Sequence, residues 1–480
     1  MAATTSYKLD DFEKFYNVID NKLTTTSKTR QAVDPSTEEL LPEVPVSTQE
    51  DVDRAVAAAQ AAFPAWSKLS QDERADYLSK FVDAIEANQE GFAQLLGKEA
   101  GKPPGGVGLE LFLLTRQIRE TLKHKLTEKT IEDSDELSIV QRYVPIGVGV
   151  GIVPWNLPMM LGSMKLVSAL LVGNTFIWKP SPYTPNTALK LGELGAKIFP
   201  KGVFNVLSGE EDLGPMLTAH PGVAKISFTG SVATGKKVIQ ACAATLKRVS
   251  LELGGNDAAI VCADVDIAAV VPKIATFALM HSGQVCFCIK RVYVHEDIYD
   301  DFLSAFVEFV KTLKSGGPTD AEATFGPTQN SMQYAKLLDL YEHGSKEGWK
   351  FALGGNPSKK GSGYFLPPTV VDNPSDDSRV VVEEQFGPIV PLLKWSDEDD
   401  VLRRANESLM GLGGSVWSRD IARAERMTRR LEAGTVWVNT HFEVGPQVGF
   451  GGHKNSGLGL ESGLDGLKEW CNPQAIWVRK

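Results

Sequence analysis

Lys225-Ile226-Ser227-Phe228-Thr229-Gly230-Ser231-Val232-Ala233-Thr234-Gly235 reads as a short apolar strand that enters a glycine-bearing turn and opens a helix. Free N–H groups at such a helix start can hold a phosphate. The spacing is G-x-x-x-x-G, so this is not the G-x-G-x-x-G fingerprint. Lys237 after Lys236 also removes the Ser or Thr that a Walker loop needs. Alone, the segment is an ordinary strand–helix turn. Its neighbours decide the fold. Apolar β-type runs at 146–153, 175–178 and 203–207 precede it, separated by helical stretches at 161–171 and 187–198. Further strands at 258–261, 291–294, 389–392 and 435–438 follow, with helices from Asp266 and Asp297 among them. Strands alternating with helices predict parallel βαβ units, here two doubly wound α/β domains that join near Gly254-Gly255.

Working outward, the polar opening broken by Pro35, Pro42 and Pro45 predicts an extended surface arm. Ser47-Thr48-Gln49-Glu50 reads as a capping box. It starts a helix with Val52, Ala55, Val56, Ala59 and Phe63 on one face, which Pro64 stops. A second helix carries Tyr77, Leu78, Phe81, Val82 and Ile85 at the same spacing. The polar stretch 356–363 is a loop, and no solenoid period is present.

Bulk properties exclude several classes. A chain of 480 residues exceeds one ordinary core. A formal charge of −10 without basic blocks argues against nucleic acid. The first residues lack the apolar run of a secretory signal, and no segment is apolar for the roughly 20 residues a membrane span needs. Cytosol is the default. Five cysteines without paired spacing make no disulfide framework. Cys242, Cys262 and Cys471 read as small buried apolar residues. Cys286 and Cys288 alone lack the further ligands of a zinc site, so no metal is expected.

Three groups carry chemistry. Cys286 ends Ser282-Gly283-Gln284-Val285-Cys286, Glu252 lies in Leu251-Glu252-Leu253-Gly254-Gly255-Asn256, and Asn156 lies in Val153-Pro154-Trp155-Asn156-Leu157-Pro158. A thiol, a carboxylate and a carboxamide are a nucleophile, a general base and an oxyanion donor. The set suits attack on a carbonyl followed by thioester hydrolysis. Each residue also has a plainer reading: Asn156 as a turn former between prolines, Lys179 as a snorkelling lysine, Glu383-Glu384 as a solvated turn. Glu252 resists one, because burying a carboxylate in an apolar strand is costly.

Together, in this order, these segments resemble the aldehyde dehydrogenase superfamily from about residue 30 to the C-terminus. Lys179-Pro180-Ser181, Phe228-Thr229-Gly230-Ser231, Glu383-Glu384-Gln385-Phe386-Gly387-Pro388 and Phe450-Gly451-Gly452-His453-Lys454-Asn455-Ser456-Gly457 are further landmarks. The resemblance implies an NAD(P)-binding domain at 1–122 and 146–254, and a catalytic domain at 255–455. It also implies a bridging β-arm at 123–145 and 456–480, its strands expected at 137–143 and 475–478, and a homodimer or homotetramer. It implies Cys286 as the nucleophile, Asn156 with the Cys286 N–H as the oxyanion donors, and Glu252 as the base that activates water. Lys179 would meet the adenosine ribose, Ser231 the pyrophosphate and Glu384 the nicotinamide ribose, with Phe386 near the nicotinamide. Val153, Pro154, Trp155, Ser181, Gly230, Thr234, Leu253 and Gly254 complete the coenzyme set.

Members that prefer NAD often carry a glutamate three residues after the lysine. This chain has Pro182 there, so NAD and NADP both stay open. The substrate walls are expected from Leu157, Met160, Leu161, Met164, Phe287, Phe442, Glu443, Val444 and Phe450, which points to an apolar or aromatic aldehyde. No arginine is placed by the sequence to grip an anionic substrate group. The resemblance implies that Glu461 relays protons with Glu252, and Cys288, two residues after Cys286, leaves oxidative capture of that thiol open, a strained C-x-C disulfide being the lesser reading. Two rivals remain: a CoA-acylating dehydrogenase, and a non-catalytic binding or structural protein on the same scaffold.

Overall fold

The computed structural model describes residues 7–357 and 361–480. Residues 1–6, part of the leader reading, and 358–360, part of the expected loop, lie outside the described residues. The apolar runs pair into one sheet in the order Lys22–Thr24, Asn17–Ile19, Phe204–Val206, Thr175–Lys179, Val148–Ile152, Lys225–Thr229, Arg248–Glu252, Gly457–Leu458. The five strands from Phe204–Val206 to Arg248–Glu252 run parallel. Their chain order reverses between Val148–Ile152 and Lys225–Thr229, the crevice where doubly wound sheets bind ligands at their carboxyl ends. Lys179, Glu252 and the Gly230-Ser231 turn all lie at that end.

A second sheet has the order Phe351–Leu353, Thr369–Asp372, Ile389–Trp395, Ile289–His295, Asp257–Val261, Gly413–Trp417, Thr435–Val438. All its pairings are parallel except that of Phe351–Leu353. Residues 253–256 cross from one sheet to the other, so Glu252 faces the join. A third sheet places Leu137–Pro145 between Cys471–Arg479 and Lys129–Asp133, both antiparallel to it. Lys129–Asp133 is exposed throughout and has no apolar alternation for sequence reasoning to detect. Gly457–Leu458, within 456–480, pairs with Arg248–Glu252 on the first sheet instead of joining the arm.

Three local expectations are corrected. The opening stretch is not a surface arm, because Asn17–Ile19 is buried and Val18 pairs with Val206. Asn17 satisfies its amide internally, donating to Ser47 Oγ (3.0 Å) and accepting from the Ser208 N–H (2.9 Å). The capping box is Thr48 with Asp51, one residue later than expected, since Ser47 instead donates to the Ser208 carbonyl (2.7 Å). The helix Gln49–Trp66 runs through Pro64. A proline so near the helix end removes a single bond, to the exposed Gln60. Buried Trp66 fixes the end by donating to the Leu170 carbonyl (3.2 Å).

Two helices that flank the crevice, Pro158–Leu171 and Asn186–Ala196, have no side-chain cap of their own. Buried carboxylates supply the missing acceptors. Glu110 accepts from the N–H groups of Met159 (2.9 Å) and Met160 (3.2 Å), and Glu99 from those of Asn186 (2.8 Å) and Thr187 (3.1 Å). Lys102 pairs with Glu110, both fully buried. Burial pushes Glu99 up to about 7 despite the donors of Asn186 and Thr187. Among the described residues no helix is long and apolar enough to cross a membrane.

Candidate active site

The loop that carries Cys286 is strained. His281 (φ 49°), Ser282 (φ 57°) and Gly283 (φ 72°) are successive left-handed residues. Only a glycine fits at 283, where a Cβ would overlap the Gly387 carbonyl. Gln284 holds the bend: its amide donates to the His281 (3.0 Å) and Pro327 (3.1 Å) carbonyls and its oxygen accepts from the Gln329 N–H (2.9 Å). Strain of this kind persists only where surrounding contacts over-determine it. The Gln284 carbonyl in turn accepts from Asn156 Nδ2 (2.9 Å). Asn156 is thereby oriented beside the loop that carries Cys286, with its second amide proton uncommitted in that bond.

Glu252 ends its strand and is buried, and neither carboxylate oxygen finds a donor of hydrogen-bonding geometry. Burial raises its pKa above the usual range. The nearby Cys286 thiol, the Lys165 ammonium and the Thr229 hydroxyl oppose the shift. Cys286 is pushed well above the ordinary thiol range by burial and then by the charge of Glu252, with Lys290 opposing. Burial and mutual repulsion therefore both disfavour charging the thiol and the carboxylate at once. Behind Glu252, Lys165 donates to Glu461 (2.8 Å) and to Ser227 Oγ (2.9 Å). Burial raises the pKa of Glu461, but Lys165, Ser227 and Lys225 together hold it below the usual value.

Cys286 and Glu252 open on one cavity of about 400 Å³. Leu157, Met160, Leu161, Met164, Phe287, Phe442, Val444 and Phe450 all line it, whereas Glu443 is exposed and turned to Thr440. The ring of Phe287 lies 4.4 Å from Phe442 and 5.3 Å from Phe450, centroid to centroid. Phe442 keeps φ 67° because its flanks are tied down. His441 bridges the Phe287 carbonyl (3.0 Å) and Ser415 Oγ (3.0 Å), and Trp437 donates to the Glu443 carbonyl (2.9 Å). Arg116, which the sequence did not place at the site, lines the cavity beside Gly445. Cys288 is buried with its Sγ toward the Met280 carbonyl (3.7 Å), and all five cysteines are free.

The residues expected to hold coenzyme surround the crevice. Val153 donates to the Lys179 carbonyl (3.0 Å), which fixes Pro154-Trp155 at the strand end. Trp155 meets Phe386 edge-on at 5.4 Å, and Phe386 itself has φ 52°. Ser231 caps the helix Val232–Ala243, accepting from the Thr234 N–H (3.3 Å), beside Gly230. Ser181 accepts from the Tyr183 N–H (3.2 Å). Glu384 accepts from the Gly255 N–H (3.0 Å) and lies so close to Gly254 that a Cβ there would overlap its carboxylate. A Cβ on Gly255 would overlap the Cys286 carbonyl. Leu253 is buried in the core against Gly235 of the helix Val232–Ala243. A capped helix start, a buried lysine and a carboxylate over a glycine cradle fit a dinucleotide's phosphates and ribose hydroxyls.

Sequence reasoning missed Arg116, Lys165, Gln284, Lys290 and His441. Lys290 is buried, donates to the Val285 and Gly283 carbonyls, and sets a cation near Cys286. Its one available signal was the cost of burying a lysine in an apolar strand, the same cost that singles out Glu252.

Comparison with known proteins agrees with this geometry. The sequence model of the aldehyde dehydrogenase family matches residues 23–476. Aldehyde dehydrogenase LUC3 of a Fusarium species is 41% identical over 471 residues, covering 98% of this chain and all of that protein. The NAD+ complex of aldehyde dehydrogenase from Bacillus cereus superposes with a TM-score of 0.94 at 33% identity, covering 97% of each chain. Lactaldehyde dehydrogenase from Escherichia coli superposes at 0.93 and 31% identity, over 97% of this chain and 99% of that one. The chain therefore belongs to the aldehyde dehydrogenase family.

Proposed function

We propose that this NAD(P)-dependent enzyme oxidises an apolar or aromatic aldehyde to its carboxylic acid through a covalent thioester on Cys286. The observation that carries the reading is the shared cavity, in which the thiol and an unpartnered carboxylate open on the same aromatic-walled space. As sulfur adds to the carbonyl carbon, Glu252 takes the thiol proton, and Lys290 favours the resulting thiolate. The oxyanion of the thiohemiacetal is held by the second Nδ2 proton of Asn156 and by the Cys286 N–H. These donors act on charge that exists only once the carbon is tetrahedral, so they lower the barrier instead of tightening substrate binding. The coenzyme, when bound, accepts the hydride. Cys286 then carries a thioester; Glu252, once it has released the thiol proton to solvent, takes a proton from the water that hydrolyses the thioester and frees the thiol and the acid. The Lys165–Glu461 pair supports a proton exit on the far side of Glu252.

In this reading the first sheet, with residues 1–122 and 146–254, binds coenzyme and 255–455 supplies the nucleophile. The arm, 123–145 with 456–480, joins subunits. Exposed Ile131, Trp477 and Val478 on that three-stranded sheet support a homodimer or homotetramer, and free cysteines support the cytosol. A strict CoA requirement would favour the acylating rival, which has no use for a base at Glu252. Glu252→Gln separates the readings: one burst of reduced coenzyme per site and then a stall is expected, and turnover at the parent rate contradicts the assigned base.

A further inference from the structure

Besides a histidine, four acidic or basic side chains line the cavity that holds Cys286: Lys102, Glu110, Glu252 and Arg116. Lys102 and Glu110 neutralise each other, and Glu252 is the assigned base. The histidine, His281, is neutral, because burial and then Lys102 drive its pKa well below the ordinary range. Arg116 is left over. Its side chain is half-buried, and among the described residues it makes no hydrogen bond or ion pair.

The acids around Arg116 are committed elsewhere. On its own helix, Pro104–Thr121, Glu110 serves Lys102 and Glu120 pairs with Lys123 (2.5 Å). On the neighbouring loop, Glu443 is exposed and accepts from the Thr440 hydroxyl (2.8 Å). Leu109, Leu113 and Arg116 share one face of the helix, so the arginine stem continues an apolar wall of the cavity. Gly445 lies against its tip. A Cβ there would stand 3.4 Å from Nη2, so the missing side chain leaves the guanidinium its room. His124 fixes that loop by donating to the Pro446 carbonyl (2.6 Å). The same loop leads back to the nucleophile, since Phe442 packs on Phe287, the chain neighbour of Cys286. One aromatic wall thus runs from the reactive sulfur toward an unanswered positive charge.

We infer that Arg116 recognises a carboxylate at the end of the substrate remote from its formyl group, so that the enzyme acts on oxo acids with an apolar or aromatic body. The inference rests on the proposed function, in which Cys286 attacks an aldehyde in this cavity, and it narrows the substrate class. A planar guanidinium meets a carboxylate with two parallel hydrogen bonds. One positive charge also balances a monoanion, whereas a phosphate dianion would stay half-compensated. The apolar body keeps the carboxylate away from Glu252, which would repel it.

The test is steady-state oxidation, at saturating coenzyme, of acids paired with their primary amides, which keep the shape and lose the charge. The probes are ω-oxo acids from 6-oxohexanoate to 10-oxodecanoate, and 4-formylcinnamate. At the best-fitting length the parent should prefer the acid over its amide by about tenfold in kcat/KM, a figure kept modest because Arg116 is partly solvated. In Arg116→Met, which keeps bulk and removes charge, that ratio should fall to about one. The loss should appear in KM, since a contact remote from the reacting carbon is the same before and at the transition state. Gly445→Val, which crowds the guanidinium without removing it, should lower the ratio as well. Acid and amide oxidised equally by the parent at every length, or a ratio unchanged in Arg116→Met, overturns the inference while leaving aldehyde oxidation intact. Failure to oxidise any acid or amide would instead remove the reading of the cavity beneath it, and the inference with it.

Discussion

In the proposed mechanism, replacing Asn156 by alanine removes one oxyanion donor and leaves the scaffold in place. Its Nδ2 holds the Gln284 carbonyl at 2.9 Å in a buried position, so the substitution strands that acceptor. An unsatisfied buried acceptor costs about 1–3 kcal/mol of stability. The effect on catalysis is larger and distinct. Loss of one donor aimed at a developing oxyanion costs about 10²–10³ in kcat. Because that charge is absent from the bound aldehyde, KM should move by less than about threefold. The assay is steady-state reduction of coenzyme at saturating coenzyme, normalised to the folded fraction from a melting curve at the assay temperature. Asn156→Asp offers the complementary case: it keeps the shape but turns acceptors toward the Gln284 carbonyl, so it should lose as much activity. A kcat within about threefold of the parent for Asn156→Ala, on folded protein, would refute the assigned donor.

Two adjacent glycines should fail differently. In Gly254→Ala the new methyl meets the far end of the Glu384 side chain, which can swing aside, so coenzyme affinity should fall severalfold with kcat mostly kept. In Gly255→Ala it meets the Cys286 backbone carbonyl, which cannot yield, so kcat should collapse; equal kcat values for the two variants would contradict this. Stability should also report Glu99. Its carboxyl is raised from 4.5 to about 7 in the fold, so the folded state binds the extra proton between those values. This contribution is full below about 4.5 and is lost as pH rises through 7, at about 1.4 kcal/mol for each pH unit crossed. The melting temperature of the parent relative to Glu99→Gln should therefore fall across that window, and a constant difference would contradict the assignment.

The parallel strands were legible because each combines an apolar run with a bounding glycine or proline, as Val148–Ile152 does before Pro154. Asn17–Ile19 was not, since three residues in a polar setting become a strand only through Asn17, Ser47 and Ser208, which meet across long stretches of chain. The same limit governs the site. Cys286, Glu252 and Asn156 stand out because their residue types and settings are chemically expensive. His441, which ties the aromatic wall to Phe287 from 154 positions away, has no local signature. Arg116 and Lys165 are ordinary cations until packing shows what each lines or holds. Pro64 misled because a proline's cost depends on where in the helix its missing bond falls.

The claim beneath the mechanism is that the aldehyde carbon becomes covalently bound to Cys286 and leaves by hydrolysis through Glu252. Peptide mass spectrometry of Glu252→Gln, quenched in acid after mixing with aromatic aldehyde and coenzyme, addresses it directly. An acyl group on the Cys286 peptide, close to one per site and lost on hydroxylamine treatment, is the predicted result. An unmodified Cys286, or an acyl group on Cys288 instead, would contradict it.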